Sequence, residues 1–144
     1  MEWFVKAFIK ASLGWLALAV SLGVAMGVYP AWLIYRPAHL HMALLGFVAM
    51  MIFGVAYHVI PRFTGNPLHS RKLAGIHWGM ANAGLLLMVI GFFVRPHASG
   101  TGLPLLGGGG TLAAVGAYAF AYNLWRTLDA VRKPAPPGVP LARR

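Results

Sequence analysis

His39 and His41 stand two positions apart at the head of HLHMALLGFVAMMIFGVAYHVIPRFTG (39–65), among the most apolar stretches of this 144-residue sequence. Imidazole gains little from hydrocarbon, and polar or ionisable side chains within an apolar span are candidates for function. On a regular helix, residues i and i+2 point about 200° apart. Two such histidines cannot close on one ion, which needs i, i+3 or i, i+4 spacing. They can instead offer one imidazole to each side of the helix. That is poor zinc chemistry, but it suits a helix wedged between two haems, or between a haem and a neighbouring subunit.

The other four histidines sort by depth. His58 lies on the same stretch, roughly 25 Å beyond His41 at 1.5 Å per residue, too far to share a metal atom. His39, His41 and His97 group towards one face with Arg36 and Arg95, while His58, His69 and His77 lie towards the other. His58 and His77 are read as structural hydrogen-bonding residues at the cytoplasmic interface, and His69 as a solvated loop residue. His97 is open between a ligand and a capped loop histidine. For His39 and His41, the plain alternative to metal ligation is a pair of interfacial histidines hydrogen-bonded near a helix start. Met42, Met50, Met51, Met80 and Met88 read as packing residues rather than copper ligands. Cysteine is absent, which removes disulfides, thiolate metal sites and thiol catalysis.

The elements that must position these residues follow from composition. The sequence is 59% hydrophobic and only 10% charged, with a mean hydropathy of +0.70, a balance suited to facing lipid. Four stretches carry no charge: Ala11–Tyr35, Pro37–Pro61, Leu73–Val94 and Pro96–Trp125. Each exceeds the roughly 20 residues that cross a bilayer core. The fold class is therefore all-α, an integral membrane four-helix bundle. One membrane domain is expected over 1–132, followed by a Pro-rich basic cytoplasmic tail over 133–144. No cleavable signal peptide is expected, since the first apolar stretch is too long and has no clear small-residue cleavage site.

Ten of the twelve basic residues fall on one side of the spans. Lys6 and Lys10 are expected ahead of the first helix; Arg62, Arg71 and Lys72 between the second and third; and Arg126, Arg132, Lys133, Arg143 and Arg144 after the fourth. Arg36 and Arg95 fall on the other side. The positive-inside rule then puts both termini in the cytoplasm. The formal charge of +10 reads as topology plus contact with membrane lipid headgroups, and no basic soluble face exists to bind nucleic acid. Asp129 and Glu2, the only carboxylates, fall near the ends, which argues against carboxylate-driven transport. RFTGNPLHSRK (62–72) reads as a tight cytoplasmic turn. The glycine run in GTGLPLLGGGG (100–110) suggests close packing against a neighbour. Asn82 is expected to make an interhelical hydrogen bond. Trp3, Trp32, Tyr35, Trp78 and Trp125 need only the interfacial aromatic belt.

The ordered set His39-Leu-His41, Gly54, His58, Pro61, Phe63-Thr64-Gly65, His77 and Gly84 resembles subunit I of the haem-copper oxidases and their nitric oxide reductase relatives. It is similar to the tenth and eleventh helices of that subunit. The resemblance implies that the first histidine of the pair binds a high-spin haem and the second a low-spin haem from the opposite face. The implied ligands are His39 and His41, the implied cofactor is haem b with its iron, and Arg36, Arg95 and His97 become candidates for the propionate end. The family's adjacent copper-binding histidines have no counterpart here, so oxygen reduction by this chain alone is not expected.

Three functions are open at this point. One is a haem b protein of the cell inner membrane, multi-pass, that carries electrons or binds NO or O2 through bis-His coordination. A second is a cofactor-free structural or assembly subunit of a respiratory membrane complex. The third, a small channel or transporter, is disfavoured by the lack of buried carboxylates. In the resembled family, subunit I is built of three similar four-helix arcs with its cofactor histidines on the second helix of each. A homo-oligomer is therefore expected, a trimer or a dimer, with a subunit of a larger respiratory complex as the rival. In a closed trimer, His41 of one copy would face His39 of the next across a haem.

Overall fold

The computed structural model describes residues 1–130; the tail read over 133–144, and with it Arg132, lies outside the described residues. Among the described residues the chain is all-α. Four helices are long and apolar enough to cross a membrane: α1 (Trp3–Val28), α2 (Pro30–Thr64), α3 (Arg71–Val94) and α4 (Ser99–Leu128). Helix α1 packs along α2 and α4 along α3, and α3 also touches both α1 and α2.

The first charge-free stretch, 11–35, does not form one helix. Pro30 has no N–H and disfavours the helical conformation in the residue before it, so Tyr29 is extended at φ −119° and ψ 93° and α1 stops at Val28. Lys6 and Lys10 lie within α1 rather than ahead of it. Arg62 and Arg126 likewise sit in the last turns of α2 and α4. Long basic side chains reach out of a helix to water, so the end of a charge-free run marks the apolar zone and not the helix terminus.

Helix α2 is composite. It opens as a tight 3-10 segment (Pro30–Tyr35), becomes regular over Arg36–His41, widens to π-helix over Met42–Ala49, and resumes as α-helix over Met50–Thr64. The histidine pair occupies the regular section, so its separation of about 200° stands. Gly46, in the wide segment, lies under Trp15, whose Cβ would be 2.6 Å from any Cβ placed there. The Trp15 indole N–H donates to Asn82 Oδ1 at 3.2 Å, the interhelical bond expected of Asn82.

The tight turn after α2 is built by side chains. Gly65 takes the left-handed conformation at φ 69° and ends the helix. Ser70 caps α3, accepting from the Leu73 N–H at 3.1 Å. Asn123 clamps the turn to α4, accepting from the Ser70 N–H at 2.9 Å and donating to the Ser70 carbonyl at 2.8 Å. Asn66 donates to the carbonyls of Thr127 and Ala130. These buried polar groups are paired, as a low-dielectric surrounding requires.

Helices α3 and α4 meet through small residues at heptad spacing. His77, Gly84 and Gly91 on α3 face Gly116, Gly109 and Gly102 on antiparallel α4. A Cβ on Gly109 would lie 2.6 Å from the Gly84 carbonyl oxygen, and one on Gly84 would lie 2.7 Å from the Ala113 nitrogen. The glycine run was expected to pack on a neighbour, and Gly109 does so within the chain. Gly107, Gly108 and Gly110 have open space at their Cβ positions. Gly109→Ala should therefore destabilise the fold by about 1–3 kcal/mol through overpacking. Gly108→Ala should be neutral or slightly stabilising, because alanine is the better helix former. Thermal unfolding in detergent, followed by helical circular dichroism, compares the two; equal midpoints would contradict the packing.

Candidate haem-binding histidine pair

His39 sits in the seam between α2 and α1. Its Nδ1 lies 2.9 Å from the Ala19 carbonyl oxygen, and its ring covers Gly23, where a Cβ would come within 3.0 Å of Cε1. His41 turns towards α3. Its Nδ1 lies 2.8 Å from the Pro37 carbonyl oxygen one turn back, and its ring packs on Phe92 with centroids 4.7 Å apart. The two imidazoles thus serve opposite sides of α2, as their spacing predicts.

Both hydrogen bonds fix a tautomer. A carbonyl oxygen only accepts, so each Nδ1 carries the proton and each Nε2 keeps its lone pair. Neither Nε2 has a hydrogen-bond partner among the described residues. Metal-ligating histidines are prepared in this way, with the far ring nitrogen donating to a carbonyl or carboxylate. Each imidazole taken singly suits one face of a haem iron, but the two point to opposite sides of α2 and cannot both ligate one iron within the chain. Among the described residues, no group of three or more His, Asp or Glu side chains is placed to hold a bare metal ion.

Among the described residues, no hydrogen bond or ion pair joins the remaining candidates of this face to one another. Phe92, beneath His41, also lines a pocket of about 260 Å³ with Ile34, Pro37, Arg95 and Pro96. Arg36 and Arg95 are exposed, and neither makes an ion pair among the described residues. His97 is exposed in the loop after α3, and its Nε2 lies 3.0 Å from the Tyr35 hydroxyl. Tyr35 in turn stacks on Phe93 at 4.6 Å. His97 is thus held as a loop residue, and Tyr35, read only as part of the aromatic belt, is its partner.

The histidines of the other end behave differently from one another. His58 accepts a hydrogen bond from Arg62 at 2.7 Å, near the end of α2. His69 is exposed, and its backbone N–H donates to Thr127 Oγ1 at 3.0 Å. His77 does not sit at an interface. It is fully buried, with Nδ1 3.1 Å from the Tyr57 hydroxyl and its ring enclosed by Phe8, Phe53 and Phe120. Its Nε2 has no hydrogen-bond partner. If Tyr57 donates to Nδ1, the Nε2–H is left to the surrounding aromatic faces, a weak but favourable contact. Gly116 gives the ring room on the α4 side, where a Cβ would come 3.3 Å from the imidazole Cδ2. Depth along a span does not report which face of the helix is covered. Tyr57 was the missed partner; a tyrosine within an apolar span carries a hydroxyl that seeks one, which is the signal available in the sequence.

Residues 32–101 match the family described as cytochrome c and quinol oxidase polypeptide I. That region contains Arg36, His39, His41, Arg95 and His97. Among curated relatives, the Cbb3-type cytochrome c oxidase subunit CcoN1 of Stutzerimonas stutzeri is 29% identical over 143 residues, covering 82% of this chain and 29% of the relative. Cytochrome c oxidase subunit 1 of Rhodobacter capsulatus is 30% identical over 125 residues, covering 69% of this chain and 23% of the relative. The bacteroid homolog of cytochrome c oxidase subunit 1 from Bradyrhizobium diazoefficiens is 26% identical over 136 residues, covering 77% and 24%. The chain is haem-copper oxidase subunit I-like, and it spans less than a third of the length of these relatives. With four apolar helices and membrane oxidase relatives, it is a multi-pass membrane protein.

Tyr57→Phe would leave the buried His77 imidazole without a conventional hydrogen-bond partner. The expected cost is about 1–3 kcal/mol of stability, the penalty for an unsatisfied buried polar group. It should appear as a lowered unfolding midpoint in detergent. Any haem bound at His39 and His41 should keep its absorption spectrum, since those residues lie at the opposite end of α2.

Proposed function

We propose that this chain is a haem b membrane protein in which His39 and His41 ligate iron through Nε2, serving electron transfer or the binding of NO or O2. The observation that carries this reading is the matched pair of carbonyl-anchored imidazoles. Each has its Nδ1–H engaged and its Nε2 lone pair free, on opposite sides of one helix. Haem iron between two imidazoles is low-spin and exchanges single electrons, and an open axial position admits a diatomic gas. The chain's own residues orient that chemistry. Ala19 and Pro37 hold the rings, Gly23 leaves room for His39, and Phe92 supports His41. Arg36 and Arg95, both without carboxylate partners among the described residues, suit the propionates, with His97 beside them in the loop.

The imidazoles diverge, so both reach iron only if each addresses a different haem or a different chain face. A homo-oligomer satisfies this: in a closed trimer, His41 of one copy and His39 of the next would flank each haem, and a dimer is the simpler variant. The open glycines Gly107, Gly108 and Gly110 suit close helix packing in such an assembly. Docking on a larger respiratory subunit is the alternative, since the curated relatives are named as oxidase subunits. A cofactor-free assembly subunit could dock in the same way but would carry no haem.

Purified chain should show a Soret band and sharp low-spin α and β bands on reduction. His41→Ala should abolish them or convert them to a high-spin spectrum, as should His39→Ala, with helical content unchanged. Low-spin bands that persist in both variants would sink the assignment. Native mass spectrometry in mild detergent, counting chains and haems together, reads the assembly; a monomer that retains six-coordinate haem would rule out the intersubunit site.

We also propose that both termini lie in the cytoplasm and that the protein resides in the cell inner membrane. The starts of α1 and α3 and the ends of α2 and α4 carry Lys6, Lys10, Arg62, Arg71, Lys72 and Arg126, against Arg36 and Arg95 at the other ends. A C-terminal fusion to a reporter active only in the periplasm should be silent, and activity would reverse the orientation.

A further inference from the structure

At the end of the molecule away from His39 and His41, the start of α1, the last turns of α2 and the start of α3 converge around a pocket of about 220 Å³. Glu2, Phe4, Tyr57, His58, Arg62 and Arg71 are among the residues that line it. Arg71 is paired, with Nη2 3.1 Å from Glu2 Oε1. Arg62 is not: its Nη1–H donates to His58 Nε2 at 2.7 Å, and it meets no carboxylate among the described residues. The only other carboxylate of the chain, Asp129, lines a separate pocket at the end of α4.

The Arg62–His58 bond sets the polarity of this pocket. A guanidinium only donates, so Nε2 of His58 accepts and its proton lies on Nδ1. That Nδ1–H has no hydrogen-bond partner among the described residues, and most of the Arg62 donors are also unused. Among the lining side chains the excess is one positive charge, with donors to spare and a single, already engaged carboxylate. The bond also holds Arg62 one turn from His58 at the pocket, where an unrestrained surface arginine would sweep freely. The walls beside the charges are apolar, from Phe4 and its neighbours Val5 and Leu68. Forked guanidinium donors beside an imidazole N–H match the oxygens of a phosphate group.

We propose that this pocket binds a phosphate oxyanion, with Arg62 and the His58 Nδ1–H as its direct donors and Arg71 completing the positive rim. The group arrives either as the phosphodiester of an anionic membrane lipid or as free phosphate. The site is independent of haem binding and of which side of the membrane this end faces.

The test is a ligand titration of the full chain, delipidated in mild detergent and followed by native mass spectrometry. Short-chain phosphatidylglycerol should bind one to one, at least about tenfold more tightly than phosphatidylcholine. Arg62→Gln should weaken it about tenfold, the loss of a charge-assisted hydrogen bond. Lys10→Gln, which removes the same charge outside the pocket, should leave binding unchanged. Excess inorganic phosphate distinguishes the sources: phosphatidylglycerol that stays bound identifies a lipid site, and its displacement identifies a free-phosphate site. Equal binding of the two lipids, or equal losses in Arg62→Gln and Lys10→Gln, would overturn the proposal.

Discussion

The close approach of α3 and α4 is the contact on which the other positions depend. Within lipid, apolar side chains gain nothing by leaving one hydrocarbon for another, so helices associate through shape and short-range contact. Gly84 and Gly91 on one helix, and Gly102, Gly109 and Gly116 on the other, bring the two backbones together along their length. Three consequences follow. At one end, Gly102 lies against the Arg95 backbone and so places the loop that carries Arg95 and His97 beside the head of α2. At the other, Gly116 admits the His77 ring to the interior. Beyond it, Asn123 reaches the turn before α3 and fixes where that helix begins.

A second constraint acts on every polar hydrogen that folding takes from water. Most find an acceptor, and within an apolar helix the nearest acceptors are backbone carbonyls; the buried Nε2 of His77 and Nε1 of Trp78 have no such partner among the described residues. His39 and His41 meet this need through Ala19 and Pro37, and the same bonds leave each Nε2 free to coordinate. Satisfying the ring N–H and leaving a free ring nitrogen are thus one event. His77 meets the need differently, through the Tyr57 hydroxyl and an aromatic enclosure, and its remaining nitrogen faces rings rather than open space. That arrangement ties α2 to α3 and has the character of a structural pin.

The relatives matched by this chain are oxidase subunits several times its length. The family match covers residues 32–101, which hold most of α2, all of α3, and His39, His41, His97, Arg36 and Arg95. Within the chain, one side of the histidine-bearing helix meets α1 at His39 and another meets α3 at His41.

Much of this was legible in the sequence. Charge-free runs determined the number of spans, and the spacing of His39 and His41 determined that they face opposite ways, because helical periodicity converts sequence distance into angle. Pro30 carried a signal for the break after α1, but the absence of charge masked it. The wide π segment after His41 and the pairing of Trp15 with Asn82 came only from the tertiary structure. So did the distinction among glycines of one run, where Gly109 is packed and Gly107, Gly108 and Gly110 are open. Most telling is His77 against His58: both lie towards the same end, yet one is enclosed with Tyr57 and the other holds Arg62 at a pocket. Sequence position sets depth and angle along a single helix. Which face is covered depends on neighbours distant in the chain, and only their packing decides it.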